Sequence, residues 1–168
     1  LAALHAHTSQ HRQPDRLDER IRGWAAATGA AAGLAAAEAF LRTAEFVSKK
    51  GIKIGITNPD QYTLTDGTRT CRAAWKTIDE FKRGVTSLQG GGVIVDFTDS
   101  YKHEIAAYEL DKLLGLDLVP PTVERTFGGR KGSLQLWVEG AMTEAERKKK
   151  KVTPPDPQAW NEQMYKVR

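Results

Sequence analysis

Residues 98–125, TDSYKHEIAAYELDKLLGLDLVPPTVER, determine how the rest of this chain is organised. They predict a helix, a sharp end to that helix, and a strand. Either Asp99 or Ser100 can accept hydrogen bonds from the first free N–H groups, and Gly115 can adopt the left-handed conformation that ends a helix. A Pro-Pro pair five residues later prevents the helix from continuing. Residues 122–125 are therefore expected to be extended.

The apolar residues of this helix repeat at helical spacing and define a stripe expected to face the core: Ala106, Leu110, Leu113 and Leu114, widened by Ile105 and Tyr108. At about 3.6 residues per turn, Glu104 lies about 120° from the centre of the stripe on one side, and Glu109 about 100° on the other. Each carboxylate is thus predicted at a margin of the buried face. Helix geometry does not choose between them.

The composition indicates one globular domain, or one lobe of a larger protein, because the chain has 168 residues with 40% hydrophobic and 27% charged side chains. The net charge of +4 comes largely from residues 147–151, so we expect no specific nucleic-acid partner. A single cysteine, Cys71, excludes an internal disulfide and a cysteine-only metal site. No apolar run reaches the length of about 18 residues needed for a membrane span. The compartment is left open.

The first 33 residues are predicted to form a tail that is partly disordered or holds a short helix. His5, His7 and His11 could bind a metal ion, but a solvated arm is the favoured interpretation in this Gln-rich segment. The alanine-rich stretch, residues 25–39, only weakly resembles a secretory signal. Because the chain starts at Leu1 and not at Met, we expect a processed form or a fragment.

The segment 34–142 is predicted to be the folded unit. Its first helix, residues 34–50, has an apolar face suited to packing. Alternation then predicts a strand over 52–56, and the Asp66-Gly67 pair predicts a hairpin. The return strand, residues 69–79, contains the second important position.

On that return strand, Arg72, Ala74, Lys76 and Ile78 point one way, and Cys71, Ala73, Trp75 and Thr77 point the other. Lys76 thus lies between a small and an apolar neighbour on one face. A lysine there has a buried stem, and its ammonium needs an anionic partner.

Residues 80–95 are predicted to be a loop. The run Gly90-Gly91-Gly92 could bind phosphate through backbone N–H groups, but no phosphate-binding lysine pattern follows, so a flexible surface loop is favoured.

After the helix, residues 122–127 and 133–138 are expected to form a hairpin around a glycine-rich turn. Residues 143–157 are predicted to be a basic, proline-rich linker. Residues 158–168 are predicted to begin a helix capped by Asp156. This helix has no stop signal at Arg168, so we expect a truncated end.

A strand lysine, a following helix with a marginal glutamate, and two further strands match the order of the small lobe of a kinase-like fold. There a strand lysine held by a helix glutamate contacts the nucleotide phosphates. The sequence Ala73-Ala74-Trp75-Lys76 also has the small residue before lysine of the V-A-I-K element.

A more specific resemblance follows from YKHEIAAYELD at 101–111 and VPPTV at 119–123. This pair resembles the helix and next strand of the secretory-pathway kinases related to the Golgi casein kinase, and of their distant bacterial and phosphoinositide-kinase-like relatives. The sequence GSLQLWV at 132–138 is similar to the family's strand before the hinge. The resemblance covers roughly residues 50–168.

The resemblance implies an α+β fold: a kinase-like small lobe with an antiparallel sheet of about five strands, one packed helix of the αC type, and N-terminal helices before it. It makes Lys76 the phosphate-contacting lysine and selects Glu104 as its partner, which also approaches a divalent metal. It makes Ala74 the residue that leaves room for adenine. The implied cofactor is ATP with Mg²⁺ or Mn²⁺, and the hinge residues that touch adenine through backbone groups are Val138, Glu139, Gly140 and Ala141.

Two features depart from the family pattern. Residues 51–57 lack G-x-G-x-x-G, and no segment matches the catalytic and metal-binding Asp and Asn residues of the large lobe, which would follow Arg168. If a parent protein supplies that lobe, the resemblance implies a phosphotransferase whose partners are nucleotide and the missing lobe or a partner chain. By itself the chain is expected to be inactive. The alternative is a non-catalytic interaction module that keeps the lobe's shape and docks a partner through its exposed sheet and basic linker.

Overall fold

A computed structural model describes residues 10–11, 30–51, 59–87, 92–154 and 156–166. The elements follow in chain order: β1 (Gln10–His11), α1 (Ala30–Thr43), β2 (Glu45–Gly51), β3 (Asp60–Thr65), β4 (Thr70–Lys76), β5 (Asp79–Ser87), β6 (Val93–Ser100), α2 (Tyr101–Leu114), β7 (Thr122–Phe127), β8 (Arg130–Leu136), β9 (Met142–Thr143), α3 (Glu144–Lys150) and α4 (Pro157–Lys166).

The largest sheet is antiparallel, with the strand order β2-β3-β4-β8-β7. Helices α1 and α2 both pack against β7 and β8. Two smaller pairs, β5 with β6 and β1 with β9, lie outside this sheet. The prediction of an α+β fold with an antiparallel sheet of five strands is confirmed, and β4, which carries Lys76, is the central strand.

The core lies between α1 and the sheet. Its side chains come from one face of the helix and from the inward-facing positions of four strands, as expected when apolar residues alternate along a strand. They are Phe40, Leu41, Ala44, Leu64, Ala73, Trp75, Val123, Leu134 and Leu136. Apolar residues alternate along β8: Leu134 and Leu136 are buried, and Val138 continues the buried face beyond the strand end.

The hairpin between β3 and β4 forms where Asp66-Gly67 predicted it. Asp66 Oδ1 accepts hydrogen bonds from the backbone N–H groups of Thr68 at 2.9 Å and Arg69 at 2.7 Å. Gly67 has a φ of 88°, which suits glycine because it has no Cβ. These bonds lower the pKa of the Asp66 carboxyl.

Both predicted ends of α2 are confirmed. Ser100 is the N-cap, and its Oγ accepts a hydrogen bond of 3.2 Å from the N–H of Lys102. Gly115 is the C-cap in the left-handed conformation, with φ at 61°. The hairpin of β7 and β8 also forms, and β8 begins at Arg130, three residues earlier than predicted.

The predicted buried face of α2 is confirmed at Tyr108 and wrong at its leucines. Leu110, Leu113 and Leu114 are 54%, 81% and 57% exposed, whereas Tyr108 and Asp111 are buried. The Asp111 carboxylate accepts a hydrogen bond from the N–H of Leu118, 3.0 Å from Oδ1, which satisfies a buried polar group at the helix end. The helix is therefore oriented by polar anchors as well as by apolar area.

The first predicted helix ends earlier than expected. Helix α1 stops at Thr43, and residues 45–51 form β2, an edge strand paired with β3. Helical spacing continued through Phe46 and Val47, but pairing of the backbone with β3 outweighs this local pattern. The strand predicted at 52–56 lies outside the described residues.

The segment 80–95 is not a loop over its described part. Strands β5 and β6 form an antiparallel hairpin in which Val85 lies opposite Val95. An irregularity in the pairing explains why simple alternation was not visible: Gly84 has a φ of 82°, and its N–H donates to Asp96 Oδ1 at 2.8 Å. Of the Gly90–Gly92 run, only Gly92 is described.

Near the C-terminus, the segment expected to be a linker contains the helix α3, which the sequence analysis did not predict. Thr143 and Glu146 form a capping box at its start. The predicted cap of α4 is confirmed, because Asp156 Oδ1 accepts from the N–H groups of Gln158 and Ala159, both at 3.0 Å. Among the described residues, no helix has the length and apolar character needed to cross a bilayer.

The histidine tail falls almost entirely outside the described residues. His11 is described as part of β1, where its backbone is paired with Met142 of β9. A short helix within the first 29 residues, as predicted, would also lie outside the described ranges.

Candidate functional site

Lys76 is the last residue of the central strand β4, where it lies opposite Ser133 of β8. Its side chain is only 6% exposed. A lysine this deep must keep its ammonium near anions, because burial without a partner disfavours the charged form. The neighbours of this ammonium therefore define the candidate site.

Glu104, in the first turn of α2, is one of those neighbours. Its Oε1 lies 3.1 Å from Lys76 Nζ and accepts a hydrogen bond from it. Glu109, the other marginal carboxylate, is 56% exposed and forms a surface ion pair of 3.0 Å with Lys112. The structure thus brings Lys76 together with Glu104 and leaves Glu109 on the outer surface of the helix.

Asp99 is a second neighbour, and the sequence analysis considered it only as a helix cap. Its Oδ1 lies 2.7 Å from Lys76 Nζ, and both side chains are 6% exposed. The orientation is that of an ion pair and not of a hydrogen bond, and Oδ1 accepts no hydrogen bond from any described residue. Asp99 belongs to β6 and pairs with Glu80 of β5, so its contact with Lys76 of β4 is tertiary, and no local pattern in the sequence indicated it.

The start of α2 is fixed to the chain just beyond Lys76. The N–H of Tyr101 donates to the carbonyl of Ile78 at 2.7 Å. Ser100 Oγ and Lys102 Nζ donate to the two oxygens of Asp79 at 2.7 Å and 2.6 Å. The bond from Lys102, with that from Ser100, lowers the pKa of the Asp79 carboxyl. These contacts fix the distance between the lysine strand and the glutamate helix.

Gly132 of β8 allows β4 and β8 to approach each other closely beside Lys76. A Cβ added to Gly132 would overlap the backbone carbonyl oxygen of Lys76 and lie 2.9 Å from the ring of Trp75. Backbone atoms cannot give way as the end of a flexible side chain can. The glycine is therefore part of what places Lys76, a role that the sequence analysis did not assign to it.

The segment predicted as a hinge follows β8 directly. The N–H of Trp137 donates to the carbonyl of Arg72 at 2.9 Å, which holds the segment beside β4. Glu139 is paired with the Arg72 guanidinium, whose Nε donates to Oε1 at 2.6 Å. Val138 is buried, and Gly140 has a φ of 68°. Ala141 follows and is half-buried.

Ala74 lies two residues before Lys76 on β4, so the two side chains share a face of the sheet. It pairs with Gln61 of β3 and Gln135 of β8 and is half-buried. The side chain is small at a position flanked on both sides by strands.

The described residues contain no group of three His, Cys, Asp or Glu side chains arranged to hold a metal ion. Mg²⁺ is more often held by one or two carboxylates together with phosphate oxygens of a substrate. Glu104 and Asp99 are two carboxylates close to one lysine.

No protein-family model, curated protein or solved structure matches this chain. Any functional assignment must therefore come from the geometry around Lys76 and from the sequence resemblance described above.

Proposed function

We propose that this chain is the ATP-binding small lobe of a kinase-like phosphotransferase. Lys76 contacts the nucleotide phosphates, Glu104 orients Lys76 and approaches Mg²⁺ or Mn²⁺, and Ala74 leaves room for the adenine ring. The backbone of the hinge residues, Val138, Glu139, Gly140 and Ala141, contacts adenine.

One observation carries this proposal: an ion pair between the buried Lys76 of β4 and the partly buried Glu104 of α2. In protein kinases the phosphate-binding lysine is on the third strand of the small lobe and pairs with a glutamate of the αC helix. Here the lysine ends the third strand of an antiparallel meander, β2-β3-β4, and α2 is the next long helix in the chain. The strand and helix that carry the lysine–glutamate pair, and the pair itself, therefore agree with this arrangement.

The chemistry required of such a pair is electrostatic. A triphosphate needs a cation held in a fixed position, and a carboxylate on a packed helix holds an ammonium more firmly than water does. Bound ATP with its divalent cation would supply the transferable phosphoryl group. The residues of this chain bind and orient it.

We expect the 168 residues to bind nucleotide weakly and not to transfer phosphate. Phosphoryl transfer also needs a catalytic Asp and further metal ligands, which the sequence analysis did not find in this chain. The binding of nucleotide is therefore the property to test.

The test is an NMR titration of the isotope-labelled chain with Mg-ATP. We expect the backbone signals near Lys76, Glu104 and the hinge to shift in a saturable manner. In Lys76→Ala the shifts near the strand and helix should be lost. Lys76→Ala leaves the buried Asp99 and the partly buried Glu104 without their cation, so the double variant K76M/D99N, which removes one charge of each sign, serves as a second variant with less disturbed folding.

The matched control is Lys49→Ala, because Lys49 is also a strand lysine in an ion pair, with Asp60 at 2.8 Å, but its side chain is 55% exposed. We expect Lys49→Ala to bind Mg-ATP as the wild type does. If the folded wild-type chain shows no saturable shift at millimolar Mg-ATP, or if both lysine variants bind equally well, the proposed function is wrong.

A second candidate function, a non-catalytic interaction module, is favoured by the exposed apolar residues of the β5–β6 hairpin. Phe81, Val85 and Val95 are 60%, 69% and 66% exposed. Such a surface suits a protein partner. A folded chain that does not bind nucleotide would favour this candidate over the first.

A further inference from the structure

We infer that Asp99 is a positioning residue of the nucleotide site, and that its charge makes the site select nucleotide bound to a divalent cation over metal-free nucleotide. This inference rests on the proposed function. It assigns a role to a residue that neither the sequence resemblance nor the pairing of Lys76 with Glu104 requires.

The first step is geometric. Lys76 Nζ lies 2.7 Å from Asp99 Oδ1 and 3.1 Å from Glu104 Oε1, so one ammonium is shared by two carboxylates. Asp99 is the closer of the two and the more deeply buried, since its side chain is 6% exposed and that of Glu104 is 15% exposed. Asp99 therefore holds Lys76 by charge, beside the hydrogen bond that Glu104 accepts from it.

Glu104 has one carboxylate oxygen that Lys76 does not use. Within the described part of the chain, the hydrogen bond to Glu104 uses Oε1, and no hydrogen bond reaches Oε2. Because Asp99 holds the lysine, Glu104 does not have to use both oxygens on it. Its Oε2 is left to approach a divalent cation, as hard cations prefer carboxylate oxygens.

The third step is the balance of charge. One lysine and two carboxylates give this cluster a formal excess of one negative charge. Metal-free ATP carries several negative charges and is repelled by such a cluster, particularly where burial limits screening by salt. A divalent cation between the phosphates and Glu104 turns this repulsion between nucleotide and cluster into attraction. The second carboxylate thus sets the dependence of nucleotide binding on the cation.

The experiment compares dissociation constants for ATP with excess Mg²⁺ and for ATP with EDTA, measured by NMR titration of the chain. The wild type should bind Mg-ATP more tightly than metal-free ATP. In Asp99→Asn the ratio of the two constants should fall about tenfold, because removal of one nearby charge mainly strengthens metal-free binding. Asp99→Ser provides a second neutral side chain if Asn prevents folding.

Two further variants separate a charge effect from a structural one. In Glu104→Gln the ratio should also fall, but because Mg-ATP binds more weakly. The matched control Glu80→Gln removes one exposed carboxylate, paired with Lys82 at 3.3 Å, and should leave the ratio within about twofold.

The outcomes distinguish the inference from the proposed function. If the wild type binds neither form of ATP, both are wrong. If the wild type binds both forms equally, or if the neutral Asp99 variants weaken both forms by the same factor, the nucleotide site stands and the selection of metal-bound nucleotide by the charge of Asp99 is wrong. Stronger metal-free binding in those variants supports the inference.

Discussion

The hydroxyl of Tyr108 on α2 donates a hydrogen bond of 2.9 Å to Glu38 Oε1 on α1. The same oxygen lies 3.0 Å from Lys112 Nζ. Two helices whose bonded residues are 70 positions apart in the chain are joined at this point. Since α2 also carries Glu104, the contact with α1 contributes to the placement of the candidate site.

Tyr108→Phe tests this link. The ring is 1% exposed and stays packed, so the variant removes only the hydroxyl and its bond to a carboxylate. We expect a loss of about 1.5 kcal/mol in the free energy of unfolding, measured with urea. In the control Tyr101→Phe the lost bond is longer, 3.3 Å, and goes to the more exposed Glu124, so its cost should be smaller. Equal costs would show that the Tyr108 hydroxyl does not join the helices.

The pH dependence of stability provides a second test of the same link. Burial raises the pKa of Glu38, but the hydrogen bonds from Lys112 and Tyr108 outweigh it and lower that pKa below 4.5. A carboxyl with a lowered folded-state pKa stabilises the protein above its unfolded pKa, and this contribution is lost as the pH falls. The difference in urea midpoint between wild type and Glu38→Gln should therefore shrink from about pH 5 to about pH 3. A constant difference would contradict the assignment.

Removal of Lys76 should be costly because it leaves the buried Asp99 and the partly buried Glu104 without their cation. We expect Lys76→Met to lower the free energy of unfolding by about 3–5 kcal/mol. The double variant K76M/D99N should recover a large part of this loss, since one buried negative charge is removed as well. Urea unfolding of the two variants measures the difference. If the double variant is no more stable than Lys76→Met, Asp99 is not a principal partner of the lysine.

Gly132→Ala should disturb the site without changing any charge. Its Cβ would overlap the carbonyl of Lys76, so β8 and β4 must separate, and we expect a loss of about 1–3 kcal/mol. Gly51→Ala is the control, because a Cβ there meets no atom within 4 Å. Urea unfolding compares the two, and the NMR signals of Lys76 and Glu104 should move only in Gly132→Ala. Similar stability of both variants would refute the close packing at Gly132.

Much of the local structure could be predicted because short-range chemistry fixes it. Ser100 and Gly115 bound α2, Asp66-Gly67 forms its hairpin, and Asp156 caps the last helix, since each acts on backbone groups within a few residues. The need of Lys76 for an anion also followed from its strand neighbours.

Other features could not be predicted because they depend on what the chain meets far along the sequence. The β5–β6 hairpin was missed since the irregularity at Gly84 and Asp96 breaks alternation. The apolar stripe of α2 predicted burial of Leu113, which is 81% exposed. Hydrophobic periodicity ranks the faces of a helix by area alone and does not count distant polar partners such as Glu38.

The sequence by itself determined both ends of α2, the β3–β4 and β7–β8 hairpins, and which lysine needs an anion, because backbone capping, turn formation and strand alternation are local. Only the tertiary structure decided which face of α2 is buried, and that Asp99 and Glu104 share the ammonium of Lys76. Both outcomes depend on the packing of α2 against β7 and β8, which fixes its rotation through contacts between residues distant in the chain.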